Sequence, residues 1–301
     1  MESKKIEFIE DLQSLLTDYL TAEDLNTLNS RIGLRGLSGY AELFSLSETD
    51  RDQLKAQFTP AIERYQIDRT ITHAGKKLSS EKYYELLVNL SELCISHGKL
   101  NLAQEIVNKT TRESEDDDVI AKSYLVLSDF HSRKANWQES IDTAEKAGSM
   151  FEKINDKTGV AKSENILGAI YGEKGEIDKA KLHFERSLDT LDGEKDKELA
   201  AMLEINLGII NNIYENFEKA LEYFNSSLKK FEEIGDKRRI AEIKYNIGML
   251  QRDQKNFHSA LKEFDEAIRI SNEAGYKPIL GLSYLSKANI LMEIKEYSLA
   301  S

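Results

Sequence analysis

Residues 206–228 read NLGIINNIYENFEKALEYFNSSL, and residues 246–268 read NIGMLQRDQKNFHSALKEFDEAI. Forty positions apart, the two stretches hold the same residue types in the same slots: Asn206 and Asn246, Gly208 and Gly248, Phe217 and Phe257, Ala220 and Ala260, Phe224 and Phe264. A fixed period of this size decides the fold before any single residue does, because it marks a supersecondary unit that is copied along the chain. Working outward, Ala180, Ala220, Ala260 and Ala300 stand forty apart, and Ser140 holds the slot one period earlier. Twelve before that slot come Gly168, Gly208, Gly248 and Ala288; three before it come Trp137, Ile177, Phe217, Phe257 and Tyr297; four after it come Phe184, Phe224 and Phe264. Ala103 opens a further, shorter copy 37 residues before Ser140, so a deletion falls in the "ESEDDD" connection at 113–118.

Inside each period the apolar residues recur at three- and four-residue steps, the signature of amphipathic helices, and no alternating stretch competes with it. Each unit is therefore a pair of helices, A and B. In the unit 159–198 the spacing predicts helix A near 160–174 and helix B near 178–191, with "KGEI" at the corner. The small residues at the Gly168 and Ala180 slots are expected to let the two helix backbones approach closely, while the Phe184 and Ile177 slots fill the space between units. Gly235 and Gly275 follow the expected ends of helix B, where a left-handed cap favours glycine, and Asn155 takes the matching slot as the usual substitute. Pro278 opens the next helix, where its missing N–H is tolerated.

This pattern resembles the tetratricopeptide repeat, a helix-turn-helix unit of about 34 residues. Leu207, Gly208, Ala220, Phe224 and Ser227 match that family's small and large core positions. The six extra residues per unit are similar to the lengthened variety of kinesin light chain, LGN and the sensory domains of bacterial regulators. The early tryptophan of helix A is replaced by Glu164, Glu204 and Lys244. The resemblance implies an all-α fold, a right-handed superhelical solenoid of antiparallel helix pairs. It spans 79–301 as units 79–118, 119–158, 159–198, 199–238, 239–278 and an incomplete 279–301.

Residues 1–78 depart from the template and read as a helical cap or small bundle, the polar end that a stack of repeats needs. Ile9, Leu12, Leu16 and Leu20 fall on one helical face, and Thr21 with Asp24 reads as a capping box for a second helix. "GLRGLSGY" at 33–40 reads as a loop, Asp50 to Phe58 as helical, and Thr59-Pro60 as the start of another helix through Tyr65. At the other end Ala300 and Ser301 fall at the start of a sixth helix B, which predicts a segment of a longer protein.

The formal charge of -12, without a basic cluster, argues against nucleic acid or an anionic membrane as partner. The sequence holds no apolar run long enough for a membrane span, and Cys94 alone forms no internal disulfide, so the cytoplasm is the expected compartment. The five histidines, His73, His97, His131, His183 and His258, lack metal-binding spacing. "THAGKKLSS" at 72–80 lacks the first glycine of a phosphate loop and reads as a linker. "ESEDDD" lacks the glycine and terminal glutamate of a calcium loop and reads as a solvated connection. Cys94 shares the slot of Tyr171 and is expected to pack in the core. No catalytic residue, cofactor or metal is expected.

What remains is a surface. The resemblance implies that helix A lines a concave groove, with inward residues four, three and four apart along one face. These sets are Lys162, Ile166, Ala169 and Glu173; Met202, Asn206, Ile209 and Ile213; and Glu242, Asn246, Met249 and Asp253. Asn89 repeats the asparagine slot in the first unit. A carboxamide both donates and accepts, so a row of them can pair with a peptide backbone whatever its side chains, and asparagine rows serve that end in the kinesin light chain and LGN type. The expected function is a protein- or peptide-binding scaffold. The alternatives are the sensory part of a bacterial signalling protein with its output domain beyond residue 301, or a phosphatase regulator resembling the Rap proteins. For the latter, residues 1–78 offer no glutamine that stands out as catalytic.

Overall fold

The computed structural model describes residues 2–32, 64–65, 67–191 and 196–300. The loop expected at 33–40 and the helical expectations for Asp50 to Phe58 and for Thr59-Pro60 lie outside the described residues. Every described element is an α-helix, and the fold is an all-α solenoid of the tetratricopeptide type. Two compact units divide the chain, Met1–Ile154 and Asn155–Ser301.

The first unit holds α1 (Glu2–Thr17), α2 (Ala22–Ile32), α3 (67–77), α4 (Ser80–Ser96), α5 (Leu100–Glu113), α6 (Asp117–Arg133) and α7 (Trp137–Lys153). The Thr21 hydroxyl donates to Asp24 at 2.8 Å, and the Asp24 backbone N–H donates back to Thr21 Oγ1 at 3.2 Å. That closes the capping box at the head of α2. Phe8, Leu12, Leu16 and Leu20 are buried in one cluster with Leu86, Leu90 and Cys94 of α4. Two local expectations fail here. Residues 72–77 continue α3, so "THAGKKLSS" is a helix end followed by Ser79, whose hydroxyl accepts from the Lys82 N–H at the head of α4. Gly75 lies within that helix, and the burial of Ile67 and Ala74 outweighs its low propensity. Likewise Asp116 caps α6 by accepting from Asp118 and Val119, so half of "ESEDDD" belongs to a helix start.

The second unit holds α8 (Lys157–Glu173), α9 (Ile177–Thr190), α10 (Lys197–Ile213), α11 (Phe217–Ile234), α12 (Lys237–Asp253), α13 (Phe257–Glu273) and α14 (Lys277–Ala300). Consecutive helices pack on one another, and helix A of one repeat also touches helix A of the next at α10–α12 and α12–α14. A methyl group added at Gly168, Gly208 or Gly248 would meet the ring of Phe184, Phe224 or Phe264 at 2.6 to 2.7 Å. The glycine thus makes room for a ring of its own helix B, not for close backbone contact as the spacing alone suggests. The same rings reach onward: Phe224 clusters with Ile243, Ile247 and Leu250 of α12, and Phe264 with Ile290 of α14.

Every A–B corner named below closes through one residue with positive φ, and the N–H of the residue after it bonds back five positions, as Asn216 N–H does to Asn211 C=O at 2.8 Å. The left-handed residues are Gly98, Ala135, Gly175, Glu215 and Lys255. After them come Lys99, Asn136, Glu176, Asn216 and Asn256, so each corner has either glycine in the strained position or asparagine beside it, a residue suited to turns. At the sixth corner stand Lys295 and Glu296, which offer neither. The expected helix B does not begin there; α14 runs straight on from Lys277 to Ala300. The left-handed caps expected after helix B are present at Gly235, Gly275 and Asn155.

Candidate functional site

In a helix, residues four, three and four apart share one face. On α10 this rule aligns Met202, Asn206, Ile209 and Ile213; on α12 it aligns Glu242, Asn246, Met249 and Asp253. The outcome is a stripe with apolar and polar parts. Ile209 is 37% exposed and Ile213 is 53% exposed, while Met202, Asn206 and Met249 are half-buried. On α8, Lys162, Ala169 and Glu173 are exposed and Ile166 is half-buried.

The polar residues are held by neighbours that spacing alone did not single out. Arg239 donates to Glu242 at 2.7 Å, and its other terminal nitrogen lies 4.0 Å from the Met202 sulfur, so one guanidinium ties the slot of α10 to that of α12. Asn212 Nδ2 donates to Asp253 at 2.8 Å, and Arg252 donates to the same carboxylate at 2.6 Å. The Ser286 hydroxyl of α14 lies 3.7 Å from the Met249 sulfur. Leu282, one period after Glu242, is 44% exposed and extends the apolar part. Leu282 and Ser286 were readable by adding forty to Glu242 and Asn246; Arg239 continues the stripe three positions before Glu242 but has Leu199 and Gly159 in the slots one and two periods earlier, and Asn212 lies one position off the stripe.

The asparagines fare differently in the two units. Asn246 Nδ2 is enclosed and has no hydrogen-bond partner. An unpaired amide in such a place costs about 1–3 kcal/mol unless something satisfies it. Asn89 in the first unit is satisfied by the chain itself: its Nδ2 donates to the Tyr19 hydroxyl, just beyond α1, at 2.6 Å. Burial, together with the Glu85 carboxylate, pushes the Tyr19 phenol above its ordinary value, with Glu92 adding in the same direction. Glu85, Asn89 and Glu92 are the first three positions of the stripe on α4, so Tyr19 sits on the face that Met202, Asn206 and Ile209 form on α10. At the far end of α4, His97 Nε2 lies 2.9 Å from Asp11 Oδ2 and stands edge-on to the Phe8 ring at 5.1 Å.

The residues in place of the family's tryptophan are also partnered. His183 Nδ1 lies 2.7 Å from Glu164 and its ring stacks on Tyr171 at 5.1 Å. Lys244 donates to Glu263 at 3.1 Å, and Glu204 accepts from Ser226 at 2.9 Å and from Lys230. These pairs join helix A to helix B and leave the stripe untouched.

Cys94 is fully buried, as expected of a packing residue. Among the described residues no group of three or more histidine, cysteine or acidic side chains is placed to hold a metal ion, and no helix is long and apolar enough to cross a membrane.

Residues 198–273 match the model described as tetratricopeptide repeat. A search of curated proteins returns no significant match. Among solved structures the chain is similar to BtubC (BKLC) from P. vanneervenii, at 17% identity and a TM-score of 0.55, covering 75% of this chain and 91% of that one. It is similar to a Rap protein complexed with competence and sporulation factor, at 14% identity and a TM-score of 0.57, over 92% of this chain and 89% of that one. It also resembles the signal transduction ATPase with a tetratricopeptide repeat sensor from Pyrococcus horikoshii, at 18% identity and a TM-score of 0.57, over 96% of this chain and 50% of that one.

Proposed function

We propose that the chain is a tetratricopeptide-repeat protein, the family whose model matches residues 198–273, and that residues 155–301 form a binding module that holds a peptide or protein segment on the helix-A stripe. The observation that supports this most is the placing of exposed Ile209 and Ile213 on one helix face with half-buried Asn206, beside the half-buried Asn246 in the matching slot of α12. Covering two half-exposed isoleucines contributes about 1–2 kcal/mol. Each carboxamide that gains a backbone partner adds about 1 kcal/mol. Lys162, Met202, Glu242, Met249 and Asp253 complete the contact surface, and Asn89 belongs to the equivalent face in the first unit. We place the module in the cytoplasm, which suits the lone buried thiol of Cys94.

The test is peptide display against the intact chain, comparing the wild type with Asn206→Ala combined with Asn246→Ala. Selected sequences should bind the double variant about tenfold or more weakly, the equivalent of 1.4 kcal/mol, at an unchanged unfolding midpoint. Equal enrichment on both proteins sinks the proposal. A sensory role ahead of an output domain, or a Rap-like regulation of a phosphatase step, would use the same surface and differ in the response that binding triggers. Dephosphorylation of a response regulator, measured with the purified chain, separates the Rap-like role from plain capture.

A further inference from the structure

The first unit carries a worked example of occupancy. Tyr19, just past the end of α1, meets Asn89, while Phe8 and Asp11 meet His97. Eight residues separate Asp11 from Tyr19 and eight separate Asn89 from His97, so the amino-terminal helix runs antiparallel along α4 in a one-to-one register. It meets the stripe at Asn89 through one aromatic hydroxyl and is anchored by the buried row Leu12, Leu16 and Leu20. What satisfies the asparagine slot there is a phenol on the turn that ends a helix, not an extended backbone.

From this we propose that the stripe on α10 and α12 receives an amphipathic helix lying antiparallel to α10. Its tyrosine hydroxyl accepts from Asn206, and its leucines cover Ile209, Ile213 and Leu282. This rests on the binding role proposed above and fixes the partner's chemistry: a helix with leucines at four-residue spacing and a tyrosine at the end of that row. The residues fit. The three hydrophobic positions Ile209, Ile213 and Leu282 are more exposed than core packing would leave them, where the stripe of α4 has acids and relies on α1 for its apolar contact. Arg239 and Glu242 already neutralise one another, so the centre of the stripe asks for no charge on the guest. Helix-in-groove recognition uses such spaced anchors, whereas extended recognition draws its affinity from the main chain.

The experiment titrates the intact chain with a labelled peptide of residues 4–21, KKIEFIEDLQSLLTDYLT, followed by fluorescence polarisation and by circular dichroism. Saturable binding is expected, with a gain of helix signal on complex formation. It should weaken at least tenfold in the Asn206→Ala, Asn246→Ala protein, and several-fold when the peptide carries phenylalanine in place of Tyr19. Ile213→Glu, at a position 53% exposed, serves as a second protein variant and should weaken binding without altering the fold. A peptide carrying Leu16→Pro cannot hold the helix. If it binds as well as the parent, the stripe takes an extended chain: the helix proposal falls and the binding role survives. Failure of the parent peptide to saturate at millimolar concentration also overturns the helix proposal, and display selection still judges the binding role separately. Binding that ignores Asn206, Asn246 and Ile213 but is lost with Asn89→Ala is exchange with the chain's own α1, and overturns it too.

Discussion

The helix pairs of the two units are held together by different means. In the second unit a ring lies over a glycine: Phe184 over Gly168, Phe224 over Gly208, Phe264 over Gly248. In the first unit the same slots are Ser91 with Val107 and Ser128 with Ala144, and no ring needs the space. There the contact is polar. The Ser128 hydroxyl donates to the Ser140 C=O and the Ser140 hydroxyl donates to the Ser128 C=O, each at 2.7 Å, a reciprocal pair between α6 and α7. The two slots vary together because they are one contact: a large residue on helix B is tolerated only where helix A has no side chain. The repeat thus preserves a packed volume, not a residue identity.

The largest loss is expected for Phe224→Ala. The ring is almost fully buried and touches both its own helix A and α12, so its removal leaves a cavity that costs about 3–5 kcal/mol. Repeat arrays do not always unfold in one step, so native-state hydrogen exchange of α10 to α12 amides is the measurement, with faster exchange expected there before elsewhere. Next comes Gly208→Ala. Alanine favours a helix by about 1 kcal/mol over glycine, yet its methyl group would stand 2.6 Å from a ring with no room to retreat. Overpacking of this kind costs about 1–3 kcal/mol, so a net loss is expected. The sharper form is the double variant Gly208→Ala, Phe224→Ala, in which the added methyl should no longer be harmful. Additive losses in that cycle would show that the two residues are not one contact.

A smaller effect is expected in the first unit. Ser140→Ala removes one of the two reciprocal hydrogen bonds and leaves a buried carbonyl with one partner fewer, a loss of about 1 kcal/mol in a urea midpoint followed on α6 and α7. The equivalent exchange is already present in the second unit, where alanine is native at residues 180, 220 and 260 and the ring supplies the contact instead. An unchanged midpoint would mean that the serine pair is incidental.

The sequence disclosed the helix pairs, the period and the caps because each depends on short-range spacing. Gly235, Gly275 and Asn155 occupy left-handed positions as their residue types suggested, and the stripe residues of α10 and α12 share a face because a helix has fixed geometry. What escaped was long-range or relational. Nothing in Asn89 itself tells that Tyr19, seventy residues earlier, takes its amide. Arg239 bridges Met202 and Glu242 from a position that no repeat pattern marks. Lys295 and Glu296 fit the period while lacking the local chemistry of a corner, so counting by forty placed a helix boundary that the backbone does not make.

The corners supply the mildest test and carry the comparison into the loops. Gly98 and Gly175 occupy the left-handed position without strain, whereas Ala135, Glu215 and Lys255 hold it with a Cβ, at φ of 57°, 59° and 60°. A left-handed residue other than glycine costs about 1–2 kcal/mol, and glycine's greater freedom in the unfolded chain cancels part of any relief. Lys255→Gly is therefore expected to stabilise α12 and α13 by a few tenths to about 1 kcal/mol, seen as slower exchange of the Asn256 N–H that bonds to the Gln251 carbonyl at 2.8 Å. Gly175→Ala should err in the other direction by a similar amount, because Glu176 beside it lacks the turn preference that Asn216 and Asn256 bring to their corners. If both substitutions leave exchange unchanged, the choice between glycine and asparagine at the corners has no energetic weight, and the straight run of α14 through Lys295 and Glu296 needs another cause.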